Sequence, residues 1–130
     1  MIVGSQAHWA IEHHYTVVLE KEVAALEIFP APDLFATHYR GLIRKLWFRL
    51  GLSPIYRQIN HQLLARVAVF KPDIVWVWKG MEVLPQTLRQ LRSQGIKLVN
   101  YNPDHPFILS SRGSGNANVT QSVSLYDLHF

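Results

Sequence analysis

The sequence predicts a doubly wound α/β domain whose strands run parallel. Three observations carry that expectation. Asp73-Ile74-Val75-Trp76-Val77-Trp78 is continuously apolar, β-branched and aromatic, and it lies between Pro72 and Gly80. That is the pattern of a strand covered by helices on both faces. Ile96 to Tyr101 follows as a second buried strand one helical segment later. Short apolar runs alternate with helical stretches along the rest of the chain, which implies right-handed crossovers between parallel strands.

Each element has its own local reason. Met1-Ile2-Val3-Gly4-Ser5 reads as the end of a strand and a turn, and its brevity implies residues in front of it. Trp9 to about Val23 holds no Gly or Pro and reads as a helix. Ala24 to Phe29 is a second short strand, stopped by Pro30-Ala31-Pro32. From there to Phe70 the pattern is helical. Leu42, Ile43, Leu46, Trp47 and Leu50 recur at helical spacing with Arg40, Arg44, Lys45 and Arg49 between them, and Gly51 closes that helix. Ser53-Pro54 opens the next, serine as cap and proline in the first turn. Ile55, Ile59, Leu63, Val67 and Phe70 form its core face. Pro85 to Gln94 is a helix with Leu88 and Leu91 inward, ended by Gly95. A loop rich in Pro, Ser, Gly and Asn runs from Asn102 to about Asn118. A short helix from Val119 to about Leu125 precedes a last strand opening at Tyr126 to Phe130. A strand that begins at the end of the sequence makes the chain read as the front of a longer protein. No internal repeat is present.

Composition narrows the classes. The chain has 130 residues, 48% of them apolar and 17% charged, enough for one folded domain with a proper core. It has no cysteine, which removes disulfides and thiolate metal sites. No stretch has the length and apolarity of a membrane span, and the N-terminus lacks the pattern of a signal peptide. A cytoplasmic location is therefore expected. The formal charge is +4 and the sequence pI about 9.6. Much of the basic charge is local, in Arg40, Arg44, Lys45, Arg49, Arg57 and Arg66.

In open parallel sheets, ligands bind beyond the carboxyl ends of the strands, where strand order reverses. With the strands ordered 2-1-3-4-5, the flanking loops are Gly4 to His8 and Lys79 to Glu82, with Asn102 to Pro106 next. Lys79-Gly80-Met81-Glu82 sets a cation and a carboxylate beside a glycine that admits a ligand close to the backbone. As a plain strand-end turn it would hold a solvated Lys–Glu pair. Asn102-Pro103-Asp104-His105-Pro106 packs an amide, a carboxylate and an imidazole between stiffening prolines. There Asp104 can orient His105 as a base, or both can bind hydroxyls. Alternatively these side chains only cap the turn. Arg112-Gly113-Ser114-Gly115-Asn116 resembles an anion-binding nest, although such composition also marks mobile loops.

Other chemistries are disfavoured. Gly4-Ser5-Gln6-Ala7-His8 lacks the later glycines of a dinucleotide fingerprint, and no Walker motif or G-x-S-x-G elbow exists. His8, His13, His14, His38, His61, His105 and His129 show no metal-ligand spacing. Asn118-Val119-Thr120 is formally a glycosylation sequon but carries no meaning without secretion. The basic stretch from Tyr39 to Leu50 reads first as a domain helix with a solvated basic face. A second reading lays it on an anionic membrane surface through Tyr39, Arg40, Arg44, Lys45, Trp47 and Arg49. No recognisable motif supports nucleic acid as a partner.

Lys71 to Gly80, Leu98 to Pro106, Ser110 to Asn116 and Tyr126-Asp127-Leu128-His129-Phe130 together resemble bacterial glycosyltransferases of the spore-maturation-protein (CgeB-like) type. The resemblance covers essentially the whole chain. It implies a Rossmann-like half of a GT-B enzyme, with residues 1–130 as the N-terminal, acceptor-side domain, truncated at its C-terminal end. It implies a nucleotide-sugar donor held by a second domain, a hydroxyl acceptor, no metal or other cofactor, and no transferase activity for this half alone. The residues expected at the cleft are Gly4, Ser5, His8, Lys79, Gly80, Glu82, Asn102, Arg112, Ser114 and Asn116. Asp104 or His105 is the expected base, and Lys79 or Arg112 would neutralise phosphate.

Two other classes remain open. One is a non-catalytic α/β ligand-binding module; the other is a membrane-surface domain. A phosphorylation receiver is disfavoured, because the first and third strands end in Gly4-Ser5 and Lys79-Gly80 where acidic residues would be needed.

Overall fold

A computed structural model describes residues 1–50, 53–103 and 116–130. Its elements are β1 (Ile2–Val3), α1 (Ile11–Leu19), β2 (Ile28–Phe29), α2 (Ala31–His38), α3 (Leu42–Arg49), α4 (Ile55–Phe70), β3 (Ile74–Trp78), α5 (Pro85–Ser93), β4 (Lys97–Tyr101), α6 (Ala117–Ser122), a 3-10 turn (Val123–Leu125) and β5 (Leu128–His129). The five strands form one sheet in the order β2-β1-β3-β4-β5. Every pairing is parallel, with Ile2 opposite Trp76, Trp76 opposite Val99, and Val99 opposite Leu128. This is a Rossmann-like doubly wound α/β fold, as the strand patterns predict.

The two faces of the sheet differ. Val3, Phe29, Val75, Val77 and Leu98 point to one side and pack with Ile55, Ile59, Leu63 and Val67 of α4 and Leu88 and Leu91 of α5. Each of these large apolar side chains, fully withdrawn from water, contributes about 1.5–3 kcal/mol. On the other side Tyr15 of α1 lies against Trp76 and Trp78, with ring centroids 5.8 and 5.1 Å apart. Trp78 in turn meets Tyr101 at 4.7 Å. The expectation that β3 is buried on both faces needs correction here. Ile74 is 51% exposed, because α1 spans only nine residues and reaches the Trp76–Trp78 end of the strand, not its start.

Boundaries moved in predictable places. The first helix is shorter than Trp9–Val23, since Lys21, Glu22 and Val23 close it in turns bonded to Val18 and Leu19 carbonyls. Helix α4 begins at Ile55, whose N–H is donated to Ser53 Oγ at a long 3.4 Å. Gly51, expected to end α3, lies outside the described residues.

The largest departure is α3. Its core-like apolar residues are exposed, from 55% for Trp47 to 85% for Leu42. Of its apolar residues only Phe48 is partly buried, meeting Phe35, Tyr39 and Tyr56 at 5.2–5.6 Å. Helical spacing shows that a stripe exists but not which partner covers it. Here α4 already fills the sheet face, so α3 rides outside. Among the described residues no helix is long and apolar enough to cross a membrane.

Candidate functional site

All strands run parallel, so their carboxyl ends share one edge of the sheet. The order β2-β1-β3 sets the reversal point between β1 and β3, as the sequence argument assumed. Gly4 and Ser5 follow β1, Lys79 and Gly80 follow β3, and Asn102 follows β4. Helices α1, α2, α4 and α6 begin at the same edge. Their first turns bring Glu12, Asp33, Tyr56 and Asn116 to it.

The loop after β1 is held by two carboxylates. The Ser5 hydroxyl donates to Asp33 Oδ1 at 2.8 Å, and the Gln6 N–H donates to Asp33 Oδ2 at 2.7 Å. The Ser5 N–H donates to Glu12 Oε1 at 3.2 Å. Glu12 lies directly over Gly4, where a β-carbon would come within 2.8 Å of its Cγ. Gly4 is therefore needed for the carboxylate to cross the strand end. The Ser5 donors are committed inside the fold. His8 is exposed and packs edge-on against Trp9 at 5.2 Å.

The loop after β3 is more constrained. Lys79 and Gly80 have φ of 58° and 88°, two successive left-handed residues at a strand end. Such a conformation is costly for a lysine and persists only where the surroundings impose it. The Lys79 N–H donates to the Tyr101 carbonyl at 2.8 Å, and the Gly80 N–H to the Trp78 carbonyl at 2.7 Å. The chain then drops inward. Glu82 is only 9% exposed, which corrects its reading as half of a solvated pair. Burial raises its carboxyl pKa; Lys79 opposes that shift and Asp33 adds to it. Tyr56 lies close enough for the Glu82 charge to raise its own pKa, a shift caused mainly by burial and opposed by the Asn116 amide.

Asparagines fix this arrangement. Asn60 of α4 donates to the Glu82 carbonyl at 2.7 Å and accepts from the Leu84 N–H at 2.9 Å. Asn118 of α6 donates to the Met81 carbonyl at 2.9 Å. Asn116 caps α6, its side chain accepting from the Asn118 N–H at 2.9 Å. The Asn102 N–H donates to the Phe130 carbonyl at 2.9 Å. A cavity of about 310 Å³ opens beside Asp33, with Thr37, Gln58 and Gln62 among its walls.

Comparison with family models, with curated proteins and with solved structures gives no match.

Of the expected site residues, Gly4, Ser5, Lys79, Gly80, Glu82, Asn102 and Asn116 sit on the carboxyl edge. Asp104, His105, Arg112 and Ser114 lie outside the described residues. Glu12, Asp33, Tyr56 and Asn60 were missed by sequence reasoning. Each begins or borders a helix, and Asp33 three residues after Pro30 carries a legible signal, an acid in a first turn. The third strand ends in Lys79 and Gly80, so no carboxylate stands where a receiver would carry its phosphoacceptor. No three His, Asp or Glu side chains converge as a metal-ligand set among the described residues.

Proposed function

We propose that this chain binds a hydroxylated ligand at the carboxyl edge of its sheet, as the acceptor-side half of a two-domain GT-B glycosyltransferase. One observation carries the reading. A buried carboxyl of raised pKa, Glu82, sits at the strand-order reversal with Asp33, Tyr56 and Lys79 around it. Carboxylates, amides and phenols accept and donate in the pattern that sugar hydroxyls require. A carboxyl whose pKa is moved toward neutrality suits transfer of a proton from an acceptor hydroxyl. Asp104 and His105, which come shortly after β4 in the sequence, remain the candidates for that base from the sequence. Lys79 supplies positive charge where a sugar diphosphate would approach. The resemblance to CgeB-like enzymes supplies the reaction class, with the nucleotide-sugar held by a second domain.

The test is nucleotide-sugar turnover by the complete natural reading frame, with UDP-glucose and other NDP-hexoses as donors. Turnover lost in Glu82→Gln, Asp104→Ala or His105→Ala identifies the base. Full turnover in all three removes these groups from the mechanism. No turnover with any donor, together with saccharide-induced NMR shifts at Lys79 to Glu82, assigns the chain to the non-catalytic binding class instead.

A further inference from the structure

We infer that α3 is a docking helix for an anionic lipid surface. The observation is where its apolar stripe points. At about 100° per residue, Leu42, Ile43, Leu46, Trp47 and Leu50 fall within one arc of roughly 140°. All five are exposed. Phe48 lies nearly opposite the middle of that arc, and it is the residue that packs on Phe35, Tyr39 and Tyr56. The helix is therefore fastened by its back, with its apolar face open to solvent and Ile43 and Trp47 at the border of a recess against His38, Ser53 and Pro54. Arg44 borders one edge of the stripe, Arg49 and Lys45 the other, and the Lys45 ammonium sits 5.6 Å from the Tyr39 ring. An apolar face between two basic edges is the geometry of a helix lying in the plane of a lipid headgroup layer.

Charge selects the occupant. Arg44, Lys45 and Arg49 flank the stripe, and the chain carries no acidic residue between Asp33 and Asp73. A second copy docked face to face would press these cations together, whereas an anionic leaflet neutralises them. Trp47, amphipathic and exposed, sits where membrane-interface tryptophans are found. Beside it a cavity of about 290 Å³, lined by His38, Ile43, Arg44, Trp47, Ser53 and Pro54, offers a recess with one guanidinium for a phosphate-bearing headgroup. This surface adjoins the carboxyl-edge site, since His38 and Arg44 also line the cavity beside Asp33, but vesicle binding and nucleotide-sugar turnover are read separately, so either reading can fail alone.

The experiment is co-sedimentation of the folded chain with phosphatidylcholine vesicles containing or lacking phosphatidylglycerol. Partition onto the anionic vesicles is expected to be about 10-fold or more above the neutral ones and to fall as salt rises. Leu46→Glu and the pair Arg44→Glu with Lys45→Glu should each cut it about 10-fold. All these positions are exposed, and circular dichroism confirms that the variants fold. Trp47 fluorescence, isolated by subtracting a Trp47→Phe variant, should shift to the blue on anionic vesicles. Equal binding to both vesicle types overturns the proposal, as does binding that Leu46→Glu leaves intact. A solution dimer that Leu46→Glu dissolves, without vesicle binding, reassigns the face to self-association. Retention on an RNA homopolymer with no vesicle binding reassigns it to nucleic acid.

Discussion

The Ser5 hydroxyl and the Asp33 carboxylate form a 2.8 Å hydrogen bond that ties the end of β1 to the start of α2. The second carboxylate oxygen takes the Gln6 N–H, so Asp33 takes two of the turn's donors while Glu12 takes the Ser5 N–H. Hydrogen bonds to a charged acceptor contribute about 1.5–3 kcal/mol. Asp33→Ala is therefore expected to lower unfolding stability by about 2 kcal/mol, and Ser5→Ala by about 1 kcal/mol, read from urea midpoints. An Asp33→Ala variant with the wild-type midpoint would show that the turn closes without its carboxylate.

Gly80 has no room for a side chain. A β-carbon there would stand 3.0 Å from the Tyr126 hydroxyl and 3.3 Å from Val77 Cγ1, on a backbone with φ of 88°. Gly80→Ala should cost about 2–3 kcal/mol from left-handed strain and contact together. The Tyr126 hydroxyl is buried and has no hydrogen-bond partner among the described residues, so Tyr126→Phe is expected to be neutral or slightly stabilising. In a double-mutant cycle, Tyr126→Phe should recover part of the Gly80→Ala loss but not the part due to φ. Strictly additive losses would place the whole cost in the backbone.

Glu82 gives a pH signature. Its folded-state pKa is raised by burial above the ordinary 4.5, so the fold favours the protonated carboxyl. The associated stability is fully present below the ordinary pKa and is lost as pH rises through the raised one. Glu82→Gln, neutral at every pH, should thus unfold at higher temperature than the wild type at pH 7–8. The gap should close near pH 4. Thermal melts of both proteins across this range check the sign. A wild type that gains on the variant as pH rises would mean that Lys79 outweighs desolvation.

The parallel order was legible because Ile74 to Trp78 is a continuous β-branched and aromatic run and Ile96 to Tyr101 a second short strand one helix later, the alternation that a helix-covered parallel sheet produces. The strand ends followed from them, and with them Gly80 and Lys79. Helix α3 was legible as a helix and illegible as a surface. Periodicity is a property of one segment, whereas burial depends on what α4 has already covered. Glu82 was legible as a strand-end residue but not as a buried one, since its sequence neighbours Lys79 and Gly80 do not reveal that Asp33 and Tyr56, far away in the chain, lie near it. Asn60 was passed over because one amide beside Ile59 and Leu63 reads as an ordinary helix position, and its partners lie more than twenty residues downstream.

Asn60 is where the carboxyl edge is most exposed to a single change. Only 3% of it is accessible. Its Nδ2 donates at 2.7 Å to the carbonyls of both Tyr56 and Glu82, and its Oδ1 accepts from the Leu84 N–H at 2.9 Å. The Tyr56 carbonyl belongs to α4 itself, but the Glu82 and Leu84 groups belong to the loop that carries the site. Asn60→Ala leaves the buried Glu82 carbonyl without its partner, at about 1–3 kcal/mol, and the partly buried Leu84 N–H at about 1 kcal/mol, so a loss of about 2–4 kcal/mol is expected. Asn60→Leu fills the volume but not the bonds and should lose nearly as much. A general loss of packing would raise amide exchange throughout α4 and α5. Loss of this clamp instead predicts that the Leu84 amide exchanges about 10-fold or more faster while the amides of β3 keep their protection, since local opening is governed by local bonds. Uniform exchange gains across the sheet would show that Asn60 stabilises the core and not the loop.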